Sequence, residues 1–225
     1  PGMLNSVDTE MKDHEAPVFL YFGFGDQNSV LLHYSEPVAK SGNRVGNFLG
    51  GTLISGEPDW NIIIEPGRIT ADTVIGIMPL SDQLVCYFPV DPASLTEFRL
   101  NVPGVTDCTG NTSLNLVIQA GKTKVPAAGS ILINEIMYDP MEEAPEYIEL
   151  YHPGPGYIDL NDLSLDVMKN NDPPGQWLPI TTQSRIVPPG GFVVLTGDKE
   201  HLMDAYGLDI SGNWVGMDGF ENMPD

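Results

Sequence analysis

Between positions 134 and 149 the chain sets seven carboxylate or amide side chains into the stretch "INEIMYDPMEEAPEYIELYHPG": Asn134, Glu135, Asp139, Glu142, Glu143, Glu146 and Glu149. Three kinds of chemistry use such a run. Two carboxylates about 5–5.5 Å apart suit a retaining glycosidase, and about 6.5–9.5 Å an inverting one. Glu135 and Glu149, as cross-strand neighbours, would be that pair. Hard oxygen ligands at Asp139, Glu142, Glu143 and Glu146 suit Ca2+, although the loop lacks the spacing and central glycine of an EF-hand. The third reading is architectural: strand carboxylates bonded to their neighbours, beside a solvated acidic loop.

The flanking residues favour the third. On an uninterrupted strand, Ile131, Ile133, Glu135 and Met137 share one face, and Leu132, Asn134, Ile136 and Tyr138 the other. Neither face is cleanly polar, so the strand is expected to be covered on both sides, with Asn134 and Glu135 partly buried and hydrogen-bonded. Glu149 shares a face with Tyr147 and Tyr151, while Asp139, Glu142 and Glu143 fall in the proline-bracketed loop "DPMEEAP". Other chemistries lack their residues. No Gly-x-Ser-x-Gly occurs, and His14, His33, His152 and His201 have no partner at recognisable spacing. His152 reads as a solvated turn residue and Trp177 as a core aromatic. Neither Cys86 nor Cys108 has a metal-spaced histidine, which argues against zinc. No cofactor is implied; Ca2+ is the one metal that the oxygen-rich positions would suit.

The elements that carry these residues are strands. Gly 24 and Pro 20 are spread through 225 residues, with short Val/Ile/Leu/Tyr/Phe runs between them, the pattern of an all-β protein. Eight strand candidates precede residue 121: "APVFLYFGF", "SVLLHYSEPV", "NFLGGTLI", "WNIIIE", "DTVIGIM", "QLVCYFPV", "LTEFRLNV" and "SLNLVIQA". After it come "ILINEIMY", "EYIELY", "YIDL", "LSLDV", "SRIV" and "FVVLT". In "LSLDV", Leu163, Leu165 and Val167 are expected inward and Ser164 and Asp166 outward. One short helix is expected over "KEHLMDAY", capped by Asp198, stopped by Gly207 and packed through Leu202, Ala205 and Tyr206.

These elements divide into a solvated leader (1–15), a β-sandwich (16–120), a small-residue linker (121–129) and a second sandwich (130–225). Cys86 and Cys108 both fall in the first sandwich and are a candidate disulfide. Within "DCTGN", Asp107 and Asn111 have the chemistry of a turn bonded to itself, preferred over a cation held between Glu36 and Asp107.

The net charge of −21 is shared by both halves, with 5 Lys/Arg against 14 Asp/Glu in residues 1–121 and 5 against 17 in 122–225. Such a field repels phosphate backbones and anionic lipid, so neither nucleic-acid binding nor membrane-surface binding is expected. No apolar run approaches the length of a membrane span, so no direct membrane insertion is expected.

Two resemblances sharpen this. "DHEAPVF…VLLHYSEPV" followed by "LNVPGVTDCTGN" resembles bacterial Ig-like domains of the "FSEPV…D-x-x-G-N" type, with Tyr34 in place of the usual Phe. "ILINEIMYDP…EYIELYHPGPGYIDLNDLSL" running into "VPPGGFVVLTGD" resembles the lamin tail domain as found in bacterial secreted proteins. His152 replaces the family's usual Asn after the "IEL" strand, and "LNDLSL" its usual "L-S-G-W-x-L". The resemblances imply two Ig-like β-sandwiches in tandem and no catalytic residues. They imply a protein or cell-surface partner and an extracellular, bacterial cell-surface or periplasmic location. The expected function is a non-catalytic module pair for adhesion, spacing or protein–protein contact; the alternative is an accessory region of a larger secreted hydrolase. In the lamin-tail pattern a further hairpin follows the stretch ending at Asp225, so the second sandwich is expected to be incomplete at its C-terminus, with an open edge.

Overall fold

The computed structural model describes residues 13–40, 60–76, 82–140, 144–166, 177–208 and 213–220. Among the described residues ten strands precede residue 121: β1 (Phe19–Gly25), β2 (Ser29–Tyr34), β3 (Ala39–Lys40), β4 (Ile63–Glu65), β5 (Ile69–Thr70), β6 (Thr73–Gly76), β7 (Gln83–Tyr87), β8 (Phe98–Val102), β9 (Val105–Thr106) and β10 (Leu116–Ala120). Seven of the eight expected strands are among them, and "NFLGGTLI" lies outside the described residues. One sheet runs β1-β2-β7-β6, a second β10-β8-β4-β5, and β3 pairs with β9. Alternation decides what lies between the sheets. Val30, Leu32 and Tyr34 point inward from β2, Leu84 and Cys86 from β7, and Phe98, Leu100 and Val102 from β8. The β1–β2 hairpin turns at Gln27 and Asn28, with φ of 57° and 62°. Two successive left-handed residues match the twist of the strands they join.

The same alternation separates the two cysteines. Cys86 is fully buried between the sheets, whereas Cys108 is exposed on the turn after β9, and both are free thiols. The expected disulfide is absent because β7 aims Cys86 into the core and the turn aims Cys108 away from it.

The second half contains β11 (Leu132–Met137), β12 (Tyr147–Tyr151), β13 (Ile158–Asp159), β14 (Ser164–Leu165), β15 (Leu178–Pro179), β16 (Ile186–Val187), β17 (Phe192–Thr196), a helix α1 (Lys199–Tyr206) and β18 (Trp214–Gly216). Its main sheet runs β11-β12-β17-β18, with β18 parallel to β17. Short β13–β16 and β14–β15 pairs complete the sandwich. Ile148, Leu150, Leu160, Val187, Val193 and Leu195 form the core, with Leu163 and Leu165 packed against it. Val167 lies outside the described residues, and Asp166 is half-buried rather than outward. Its Oδ2 has no hydrogen-bond partner among the described residues. The helix spans the expected residues: Asp198 Oδ1 accepts from His201 N–H at 3.0 Å, and Gly207 closes it at φ 61°. Only part of the expected stripe is buried, namely Leu202, while Ala205 and Tyr206 face solvent. The helix lies along an edge and touches β18 with one side.

The chain is thus all-β with one short α-helix among the described residues, as two Ig-like sandwiches in tandem. Among the described residues no sheet mixes strands from the two halves. A seam joins them. Tyr157 and Ile186, from the second half, belong to the core of the first. Phe24 N–H donates to Ser184 Oγ at 2.8 Å, and Ser184 Oγ donates to Asp159 Oδ2 at 2.5 Å. The stretch between the sandwiches is itself tied down. Lys122 N–H donates to Leu95 O at 2.7 Å and Lys124 N–H to Tyr157 O at 2.8 Å. At Gly23 the backbone of β1 lies so close to the second half that a Cβ would stand 2.0 Å from the Ser184 carbonyl oxygen.

Two outcomes follow from this packing. Gly23→Ala should lower unfolding stability by about 1–3 kcal/mol, the usual range for overpacking, measured by denaturant titration. A thiol-reactive chromophore should label Cys108 in the native protein and Cys86 only after denaturant is added. Protection of both thiols in unreduced native protein would instead reveal a bridge.

Candidate functional site

The acid-rich stretch forms an edge strand and the connection that follows it. Among the described residues β11 pairs with β12 alone, and its register shifts between Ile133 and Glu135. Beyond this bulge the alternation restarts. Ile133 lies opposite Leu150 and Ile136 opposite Ile148, so both point to the core side, while Leu132, Glu135 and Met137 lie opposite Tyr151, Glu149 and Tyr147. Uninterrupted alternation had put Ile133 with Glu135; one extra residue, Asn134, changes that. Nor is the strand covered on both sides. Asn134 and Glu135 are exposed, and on the core side Ile133 and Ile136 remain 57% and 48% exposed.

Glu135 and Glu149 do stand directly opposite one another. Like charges in that position repel. Each is held by a neutral donor: Tyr147 Oη–H donates to Glu135 Oε1 at 2.8 Å, and Asn134 Nδ2–H to Glu149 Oε1 at 2.6 Å. Burial, followed by the hydrogen bond and charge of Glu135, pushes the Tyr147 hydroxyl up to about 12. An acid–base pair needs environments that push two carboxylates apart, usually by desolvating one. Here both stand on the outer face of an edge, with Glu135 in solvent and Glu149 half-buried.

Of the expected Ca2+ ligands, Asp139 is exposed and Glu146 half-buried, while Glu142 and Glu143 lie outside the described residues. Among the described residues, the acidic side chains that do converge are Asp13, Glu36 and Asp107, whose carboxylate oxygens lie within 4.8 Å of one another. The turn at Asp107 explains why. Asp107 is fully buried, and its Oδ1 accepts from the N–H groups of Thr109 (2.8 Å), Gly110 (2.6 Å) and Asn111 (2.8 Å). Asn111 Nδ2–H donates to Asp107 Oδ2 at 2.8 Å and to the Asp13 carbonyl at 3.2 Å, docking the leader onto the turn. Gly110 takes φ 100°, which a side chain would resist. Burial raises the Asp107 carboxyl, but the hydrogen bonds from Asn111, Thr109 and Gly110 outweigh it and hold it below the usual range. Its oxygens are therefore already engaged, and a cation would have to compete with the turn.

Two further sequence expectations change. His152 is buried, with Nδ1 2.9 Å from Ser130 O and Nε2 3.0 Å from Gly156 O, so it ties the ends of two loops together. The sequence carries no sign of this, because both partners are backbone carbonyls. Trp177 is 59% exposed rather than core. Arg185, which no motif marked, is buried at the seam with its guanidinium 4.1 Å from the centre of the Tyr21 ring.

Glu36 generates a pH-dependent outcome. Desolvation, then the charges of Asp107, Asp13 and Glu15, raise its carboxyl above the ordinary value. A carboxyl raised in the folded state contributes stability below its unfolded value, and that contribution is lost as pH rises through the folded value. Glu36→Gln should therefore raise the melting temperature at neutral pH, with the gain shrinking to nothing below about pH 4. Thermal melts of both proteins across that range check it; a gain that persists at acid pH would show another cause.

No helix among the described residues is long and apolar enough to cross a membrane. No curated protein and no solved structure matches the chain. The second sandwich has a counterpart among protein families: residues 124–219, from the tether at Lys124 through β18, match the family model described as Lamin Tail Domain.

Proposed function

We propose that the chain is a non-catalytic extracellular or cell-surface module pair, made for protein–protein contact, with the first sandwich acting as a spacer of the bacterial Ig-like type. The observation that carries this reading is the edge of β11, which no described strand covers. Its core side shows Ile133 and Ile136 to solvent. Its outer side leads from Leu132 to Tyr151 and Phe192, whose rings stack with centres 4.6 Å apart. Leu132 and Phe192 are themselves exposed. Natural sheet edges are usually blunted by Lys, Pro, inward charge or a bulge. β11 has the bulge, but its six residues, "LINEIM", contain neither Lys nor Pro.

Such an edge fits an extended segment of a partner protein that adds a strand to the sheet. Glu135 and Glu149, side by side on the outer face, favour a Lys or Arg among the partner's apolar residues. The match of residues 124–219 to a family with an Ig-like, non-catalytic fold supports a contact role over an enzymatic one.

Selection of short random peptides against the folded chain provides the test. Enriched peptides should alternate apolar and basic residues, and their binding should slow amide exchange along β11. The variant Ile133→Lys/Ile136→Lys should stay folded, because both positions are exposed, and should lose that binding. Unchanged binding by the variant, or slowed exchange elsewhere only, would overturn the proposal.

A further inference from the structure

The seam between the sandwiches holds a half-open cavity of about 280 Å³, distinct from the β11 edge. Leu20 and Tyr21 of β1 form one wall. Ile180, Arg185, Met203 and Trp214 are among the second-half residues opposite, and Lys199 also lines the cavity. The composition of this lining is unusual for the chain. The protein has 31 Asp/Glu and 10 Lys/Arg, yet among the described residues the cavity is lined by two cations and no carboxylate.

Arg185 is the decisive group. It is only 6% exposed, and no carboxylate among the described residues lies within ion-pair distance of its guanidinium; Asp159 Oδ1 accepts instead from its backbone N–H at 2.9 Å. Its Nε–H donates to Asn213 Oδ1 at 3.0 Å, Nη2–H donates to the same oxygen, and Nη1–H donates to Trp214 O at 2.9 Å. A guanidinium has five N–H donors, so these bonds leave two without a partner among the described residues. Those three bonds, with the Tyr21 ring 4.1 Å away, fix the plane of the group. An arginine removed from water without a counter-charge is costly, and burial pushes it down to about 10. The neighbouring His33, stacked on Tyr21 at 4.1 Å, is held down to about 4 by burial and so adds no competing positive charge at neutral pH.

We propose that this cavity is a binding site for a small organic carboxylate, with Arg185 gripping the carboxylate and Lys199 adding charge at the cavity wall. Leu20, Ile180, Met203 and Trp214 receive the apolar body. A planar guanidinium matches a carboxylate through two parallel bonds. The volume lies at the small end of ligand sites, which suits a body the size of a single amino acid. The strongly negative surface selects against polyanions. The same carboxylate chemistry occurs on a free small acid and on the C-terminus of a peptide.

Fluorescence titration of the intact chain, with Trp60→Phe and Trp177→Phe so that Trp214 reports, distinguishes these cases. N-acetyl-leucine should give a saturable change, and its uncharged amide should bind at least about tenfold more weakly. A short peptide ending in leucine with a free C-terminus tests the second source: binding equal to or tighter than the free acid assigns a peptide terminus, weaker binding a free acid. Lys199→Gln should weaken N-acetyl-leucine several-fold, and Thr182→Phe, at an exposed position on the cavity wall, should abolish binding without unfolding the protein. Arg185→Gln should abolish it as well; should that variant fail to fold, the other two decide. Equal affinity for acid and amide, or no saturable change with either carboxylate probe, would overturn the proposal.

Discussion

Much of the molecule depends on one close approach, that of β1 to the segment Ser184–Arg185. Backbone meets backbone there because Gly23 has no side chain, and the contact is closed by a bond from Phe24 N–H to Ser184 Oγ. Once β1 lies against this segment, Tyr21 falls beneath the Arg185 guanidinium and Ile186 reaches the first core. Tyr157 enters the same core while its carbonyl accepts from Lys124 N–H, so the connecting chain is held from both sides. Apolar burial contributes most of the favourable free energy of such a contact, and the directed hydrogen bonds set its register.

The polar groups are handled by a common device. Asp107 is buried with three backbone donors and the Asn111 amide around it. His152 is buried between two carbonyl oxygens. Arg185 is buried against Asn213 and the Trp214 carbonyl. Each one fixes a turn or loop position against its neighbours, which suits a sandwich rich in loops. A buried polar group whose partners are in place adds specificity of position, and losing one partner costs about 1–3 kcal/mol. Arg185, like Asp107, carries a full charge among neutral partners, but it lies at the seam between the sandwiches rather than within one turn.

The edge at β11 shows how one inserted residue changes the character of a surface. With regular alternation, Glu135 would lie on the same side as Ile133. The bulge instead turns Asn134 out to Glu149 and gathers Glu135, Tyr147 and Glu149 on the outer face. Apolar side chains are thereby concentrated on the core side of an edge that no described strand covers. The acid-rich run that suggests catalysis in the sequence is thus a bonded, solvent-facing row beside an apolar ledge.

The sequence by itself determined the all-β class, the strands with clean period-two patterns, and the helix from Asp198 to Gly207, because these follow from local alternation and capping chemistry. It also marked the Asp107–Asn111 turn, whose donors and acceptors lie within five residues. The lamin-tail motifs were legible for the same reason, since they are turn and strand signals in a fixed order, and residues 124–219 carry that family match. Tertiary structure alone decided the rest. Whether Cys86 could meet Cys108 depended on which way β7 faces, and whether Glu135 is buried depended on a bulge and on the absence of a strand beyond β11 among the described residues. The partners of His152 and Arg185 are backbone carbonyls, an amide and a ring far along the chain, and they leave no trace in residue spacing. Local patterns fix which side of an element is apolar; only the packing of one element on another fixes what that side touches.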